Sequence, residues 1–152
     1  MILALALACA QPIEAPPPAP EAAPQGPVAG PLVTNDEFSA WLSSHPDYAP
    51  ATAIAAGLAD EHYLARWPDG KPPPSKLAGP VGGVSFAIAQ VYCKDHGGVA
   101  GLDQPPKFQE VADMIFEIRT GPYGTAVFVS STADVPTDDA TTSPYATFRC
   151  AN

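Results

Sequence analysis

Cys93 and His96 stand three residues apart in Tyr92-Cys93-Lys94-Asp95-His96. That spacing lets an imidazole reach a thiol on one helical face. Such a pair is the starting point of nucleophilic catalysis, with sulphur attacking and histidine as base. The surrounding residues argue against that role. Gly82–Gly98 reads as a central helix, with Lys94 and His96 in its last turn and Gly97 and Gly98 as its stop. Cys93 then sits where the helix dipole disfavours a thiolate. Cys150 near the chain end is its natural partner, and an even pair in an exported domain reads as a disulfide. No catalytic residue is assigned.

The remaining candidates for chemistry are sparser. His45, His62 and His96 are widely separated, and neither HExxH nor paired CxxC occurs. Asp134, Asp138 and Asp139 share a polar stretch but lack the EF-hand spacing, its central glycine and its closing glutamate. There is no GxSxG, P-loop or GxGxxG, and the glycines of 79–83 lack the following Lys-Ser/Thr. No metal and no cofactor are expected.

The elements that position these residues follow from periodicity and punctuation. Thr34-Asn35-Asp36-Glu37 matches a capping box, with Val33 and Phe38 as hydrophobic staple, and predicts a helix to about Ser44, before His45-Pro46. Phe38, Trp41 and Leu42 form its apolar stripe, with Trp41 read as core and a ligand-stacking role as its alternative. Ala51–Arg66 is Ala-rich and predicts a second helix, with Pro50 suited to its first position and His62 at the rim of its buried face. Val84, Ala87, Ile88, Val91 and Tyr92 give the central helix its apolar face. Lys107–Ala112 reads as a helical turn.

The period then changes. Met114, Phe116 and Ile118 alternate with Glu117 and Arg119, which predicts a strand with those two charges on the other face. Gly121-Pro122-Tyr123-Gly124 is a turn, Thr125–Ser131 a second strand and Tyr145–Cys150 a third. Trp67–Gly83 and Ser131–Pro144 read as loops, and loops on a rigid scaffold are the expected binding surface. The predicted fold is α+β: helices on one face of a small three-stranded antiparallel sheet, with one disulfide.

The chain has 152 residues, 20 of them proline, and a formal net charge of −9. Eight prolines fall between Gln11 and Leu32, where no apolar period survives. That stretch reads as a spacer, spanning at most about 60 Å as polyproline II. Acidity with scattered Lys and Arg disfavours nucleic acid as a partner. Met1–Ala8 is an apolar run too short to cross a bilayer and has the length of a signal-peptide core.

The run Leu5-Ala6-Leu7-Ala8-Cys9 resembles the lipobox of bacterial lipoproteins. The resemblance implies cleavage before Cys9 and lipidation of that cysteine, which becomes the membrane anchor. It departs from the usual pattern in placing Ala6 three residues before the cysteine and in having no preceding Lys or Arg, which an upstream start codon would supply. Ala10 in place of Asp favours the outer membrane over inner-membrane retention. Plain secretion, with cleavage before Gln11, remains the alternative. The expected organisation is a signal at 1–8, lipidated Cys9 and linker at 9–32, and one domain at 33–152. The leading functional expectation is a non-enzymatic outer-membrane or periplasmic lipoprotein that presents a binding domain to a protein partner in the envelope. An acidic inhibitor or immunity-like protein for a basic exported enzyme is the second, and a small secreted enzyme the third.

Overall fold

The computed structural model describes residues 29–102, 116–130 and 133–151. Cys9, the expected turn at 107–112 and the start of the strand at Met114 lie outside these residues.

The first helix, α1 (Asn35–Ser44), begins as its sequence requires. The Glu37 amide donates to the Thr34 hydroxyl oxygen, and the Glu37 carboxylate accepts from the Thr34 amide at 2.9 Å. The second helix, α2, covers only Pro50–Ala55. Helix propensity predicted it to Arg66, but tertiary bonds take the backbone elsewhere. Gly57 turns the chain at φ +69°, the Leu58 carbonyl accepts the Ser85 hydroxyl at 2.6 Å, and the Leu64 amide donates to the Gly83 carbonyl. His62 consequently lies on an exposed turn, with 57 % of its side chain accessible, and not on a helix rim.

The central helix, α3, is Phe86–Tyr92, shorter than the predicted span. Ser85 caps it by accepting from the Ile88 amide. Gly82, Gly83 and Val84 lead into the cap outside the helix, with Gly83 turning the chain at φ +76°. After α3 the backbone tightens into a 3-10 turn, Lys94–His96, and Gly97 ends it in the left-handed region at φ +81°. Phe86, Ile88, Ala89 and Cys93 are the buried side, whereas Val91 is 38 % exposed, so the apolar face is rotated from the one the spacing predicted.

The sheet has five strands: β1 (Ala29–Leu32), β2 (Phe116–Thr120), β3 (Ala126–Val129), β4 (Asp134–Thr137) and β5 (Ala146–Ala151). Their order is β1-β5-β2-β3-β4. The three-stranded antiparallel expectation is therefore corrected to a mixed five-stranded sheet, in which β2 and β5 run parallel. The two unforeseen strands are its edges. Each carries a proline, Pro31 in β1 and Pro136 in β4, and an edge is where a strand tolerates a residue without an amide donor. β1 begins before Val33, inside the proline-rich stretch, and β4 occupies part of the expected Ser131–Pro144 loop.

Beyond Phe148 the central pair opens and residues 98–101 fill the gap. Ala151 donates to the Gly98 carbonyl, Ala100 to that of Arg149, and Thr120 to that of Ala100. This strap leads directly from α3 and brings Cys93 to Cys150, whose Cα atoms are 5.2 Å apart and whose sulphurs are at bonding distance, 2.03 Å. Such a Cα separation is within the range a disulfide requires.

One sheet face packs Ile118, Ala146 and Phe148 against Phe38, Val84 and Ile88, all fully buried. The predicted fold left the other face without helices, but Glu117, Arg119, Thr147 and Arg149 on it are each no more than 2 % exposed. Alternation marked which residues share a face. It did not mark that both faces of the central strands are covered.

Candidate functional site

A groove of about 480 Å³ lies where the end of α1 meets the end of α3. Trp41 and Tyr92 form its half-buried floor, with ring centroids 5.5 Å apart and planes at 65°. Phe38 fixes both from beneath, at 5.3 Å from Trp41 and 5.5 Å from Tyr92. The rim is polar: His45 on the α1 side and Lys94, Asp95 and His96 on the 3-10 turn, all exposed.

The local sequence places each ring. Trp41 and His45 are four residues apart at the end of α1, and their rings stack at 4.6 Å and 19°. His45 Nδ1 lies 2.8 Å from the Trp41 carbonyl oxygen. A carbonyl only accepts, so Nδ1 carries the proton, and Nε2 is the nitrogen that makes no hydrogen bond among the described residues. Burial first, and the Glu37 carboxylate second, push the Tyr92 phenol above its ordinary pKa. It is a neutral hydroxyl at physiological pH. The site thus offers flat apolar rings with neutral and cationic donors around them. That combination binds by stacking and hydrogen bonding, with contact area supplied by side chains that lose little entropy.

The residues singled out from the sequence are distributed differently. Cys93 is fully buried at disulfide distance from Cys150, while His96 stands exposed on the groove rim, so the two form no nucleophile–base couple. Asp134 belongs to β4, and the carbonyl of Asp139 accepts from the Ala87 amide. No group of three metal-ligating side chains occurs among the described residues.

The two expected binding loops are largely tied down. Asn35 donates to the carbonyls of Lys76, Gly79 and Pro80 and accepts the Trp67 indole N–H at 2.8 Å. Across the molecule, Asp60 accepts from both the amide and the hydroxyl of Thr142, and Gly83 donates to Ser143. Burial works to raise the Asp60 pKa, but the Thr142 bonds, the His62 amide and the His62 ring outweigh it and hold the carboxyl below its ordinary value.

The second polar cluster is closed. Glu117 Oε1 lies 2.6 Å from Arg149 Nε and 2.7 Å from Arg119 Nε, and Arg119 also donates to the Gly101 carbonyl at 2.8 Å. Its depth makes it a packing and registry feature joining β2, β5 and the 98–101 strap.

Sequence reasoning read Trp41 as core with ligand stacking as the alternative, Tyr92 as core, His45 as an isolated histidine and Lys94 as part of a helix stop. The available signal was the Trp41–His45 pair at i, i+4 on a helix end, next to a proline that stops the helix. No family model, curated protein or solved structure matches the chain.

Proposed function

We propose that this chain is a non-enzymatic cell-envelope lipoprotein, anchored through Cys9, whose α+β domain is a binding module with the Trp41–Tyr92 groove as its contact surface. The groove carries the reading. Two rings held by Phe38 are rimmed by four exposed polar side chains, an arrangement suited to recognition of an extended polar ligand. The Cys93–Cys150 pairing supports an oxidising compartment, as a lipobox-like Leu5–Cys9 does.

Two measurements test it. The intact mass of the protein from its native host, alkylated before and after reduction, is expected to show an acyl increment on Cys9 and two thiols only on reduction. A chain starting at Gln11 without lipid would place it among soluble secreted proteins, and a free Cys93 would reopen the enzyme reading. A photocrosslinker at Asp95 in cells is expected to give a discrete adduct, within the chain or to another molecule, and no adduct would refute the groove as a contact surface. An inhibitor of a basic enzyme would instead lose binding steeply with salt.

A further inference from the structure

We propose that the groove is built for a polyproline II ligand and that its resident occupant is this chain's own segment Gln11–Val28. The proposal rests on reading the groove as the binding surface.

The first argument is position. β1 runs antiparallel to β5, with Ala29 opposite Ala151. Ala151 donates to the Gly98 carbonyl, and its Cβ lies 3.7 Å from where a Cβ on Gly97 would be. Ala29, where the segment meets the sheet, is therefore held beside the turn that carries Lys94, Asp95 and His96. Pro20 lies nine positions before Ala29, a span that would reach about 28 Å in polyproline II. Trp41 and the Lys94–His96 turn line the same groove.

The second argument is chemistry. Proline-rich ligands dock on flat aromatic side chains set at an angle, which is how Trp41 and Tyr92 stand. The segment supplies two prolines three residues apart twice, Pro17 with Pro20 and Pro24 with Pro27. Three residues make one polyproline II turn, so each pair presents both rings on one side. Tyr92 and Lys94 are the donors the groove offers to carbonyls between the prolines.

The third is charge. Glu14 and Glu21 are the segment's charged residues, and it has no Lys or Arg. Lys94 is the fixed cation of the groove rim and stands next to Asp95, so it is the residue that would meet Glu14 or Glu21. A tether of this length gives a local concentration in the millimolar range, so even a groove of weak intrinsic affinity fills.

The test uses the full chain with Cys9→Ala, its disulfide intact, and a nitroxide on a single Ala19→Cys. Amide signals of Trp41–His45 and Val91–His96 are expected to lose at least half their intensity relative to the reduced nitroxide. Signals of the β2–β3 hairpin are expected to keep theirs. Replacing Pro16, Pro17, Pro18 and Pro20 by Ala, which leaves the folded domain untouched, is expected to restore the groove signals, as is Lys94→Glu in part. Uniform or absent broadening overturns the proposal, as does broadening indifferent to the proline replacements. Broadening of a spin-free isotopic chain mixed with an unlabelled spin-bearing one means a second copy fills the groove, which also overturns it. Absent broadening together with an Asp95 adduct to another molecule defeats this occupant and leaves the groove reading standing. Failure of both experiments defeats both.

Discussion

Reducing the Cys93–Cys150 bond is expected to cost this domain about 4 kcal/mol of stability. The two cysteines are separated by 57 positions, so the bond closes a loop of 58 residues. In the chain-entropy model such a loop removes roughly 14 cal/mol/K from the unfolded ensemble, which is about 4.2 kcal/mol at 25 °C. The native side of the balance changes little. Cys93 is fully buried and Cys150 is 7 % exposed, so reduced thiols stay packed in place. The 98–101 strap continues to hold both residues through its bonds to Arg149 and Ala151. A domain of this size has about 5–15 kcal/mol in total, so the loss is a large share. Urea titrations with and without prior reduction read it directly. For a slope near 2 kcal/mol per molar, the midpoint is expected to fall by roughly 2 M, and the slope itself to rise because the reduced unfolded chain exposes more surface. Thermal melting is expected to drop by roughly 15 °C. A loss below about 1 kcal/mol, with an unchanged slope, would refute the argument that the bond acts by restricting the unfolded chain.

Three other outcomes follow from named contacts. Asn35→Ala removes the acceptor of the Trp67 indole N–H and the donor to three carbonyls, and is expected to cost about 2–4 kcal/mol in a denaturant titration. Glu117→Ala removes the carboxylate shared by Arg119 and Arg149 and is expected to cost about 3–5 kcal/mol, while replacing all three residues by apolar ones of similar volume is expected to recover much of that loss. Asp60 has a folded pKa below its unfolded value, so its contribution is complete above the ordinary carboxylate range and is lost as pH falls through the folded pKa. Asp60→Asn is expected to flatten the acid limb of a stability–pH profile, and an unchanged limb would count against the Thr142 bonds as its source.

The parts legible in the sequence are those fixed by neighbours in the chain. Thr34 and Glu37 cap α1 as their spacing requires, and Gly121–Gly124 joins β2 to β3 because its turn residues are local signals. What failed depended on distant partners. Ala51–Arg66 has the propensity of a helix, yet bonds from Ser85, Gly83 and Thr142 claim its second half. Pro31 and Pro136 disguise edge strands as linker and loop. Glu117 and Arg119 alternate like an outward face, and only the placement of Arg149 on the neighbouring strand makes that face a closed ionic layer. The groove was hidden for a related reason. Trp41 and Tyr92 come from elements 50 residues apart, and each alone reads as core.

The order of the strands also governs when the domain can assemble. β5 is the middle of the β1-β5-β2 set, and it is the last strand of the described chain. A ribosome releases β1 more than a hundred residues before the only neighbour it pairs with among the described strands, and β2 reaches its parallel partner late. Local pairing can join β2, β3 and β4 early, and the 98–101 strap can meet β2 through Thr120, but β1 and Cys93 wait for residues 146–151. Contacts so remote in sequence form slowly. The nascent polypeptide is therefore held back from a finished sheet until synthesis has passed Cys150.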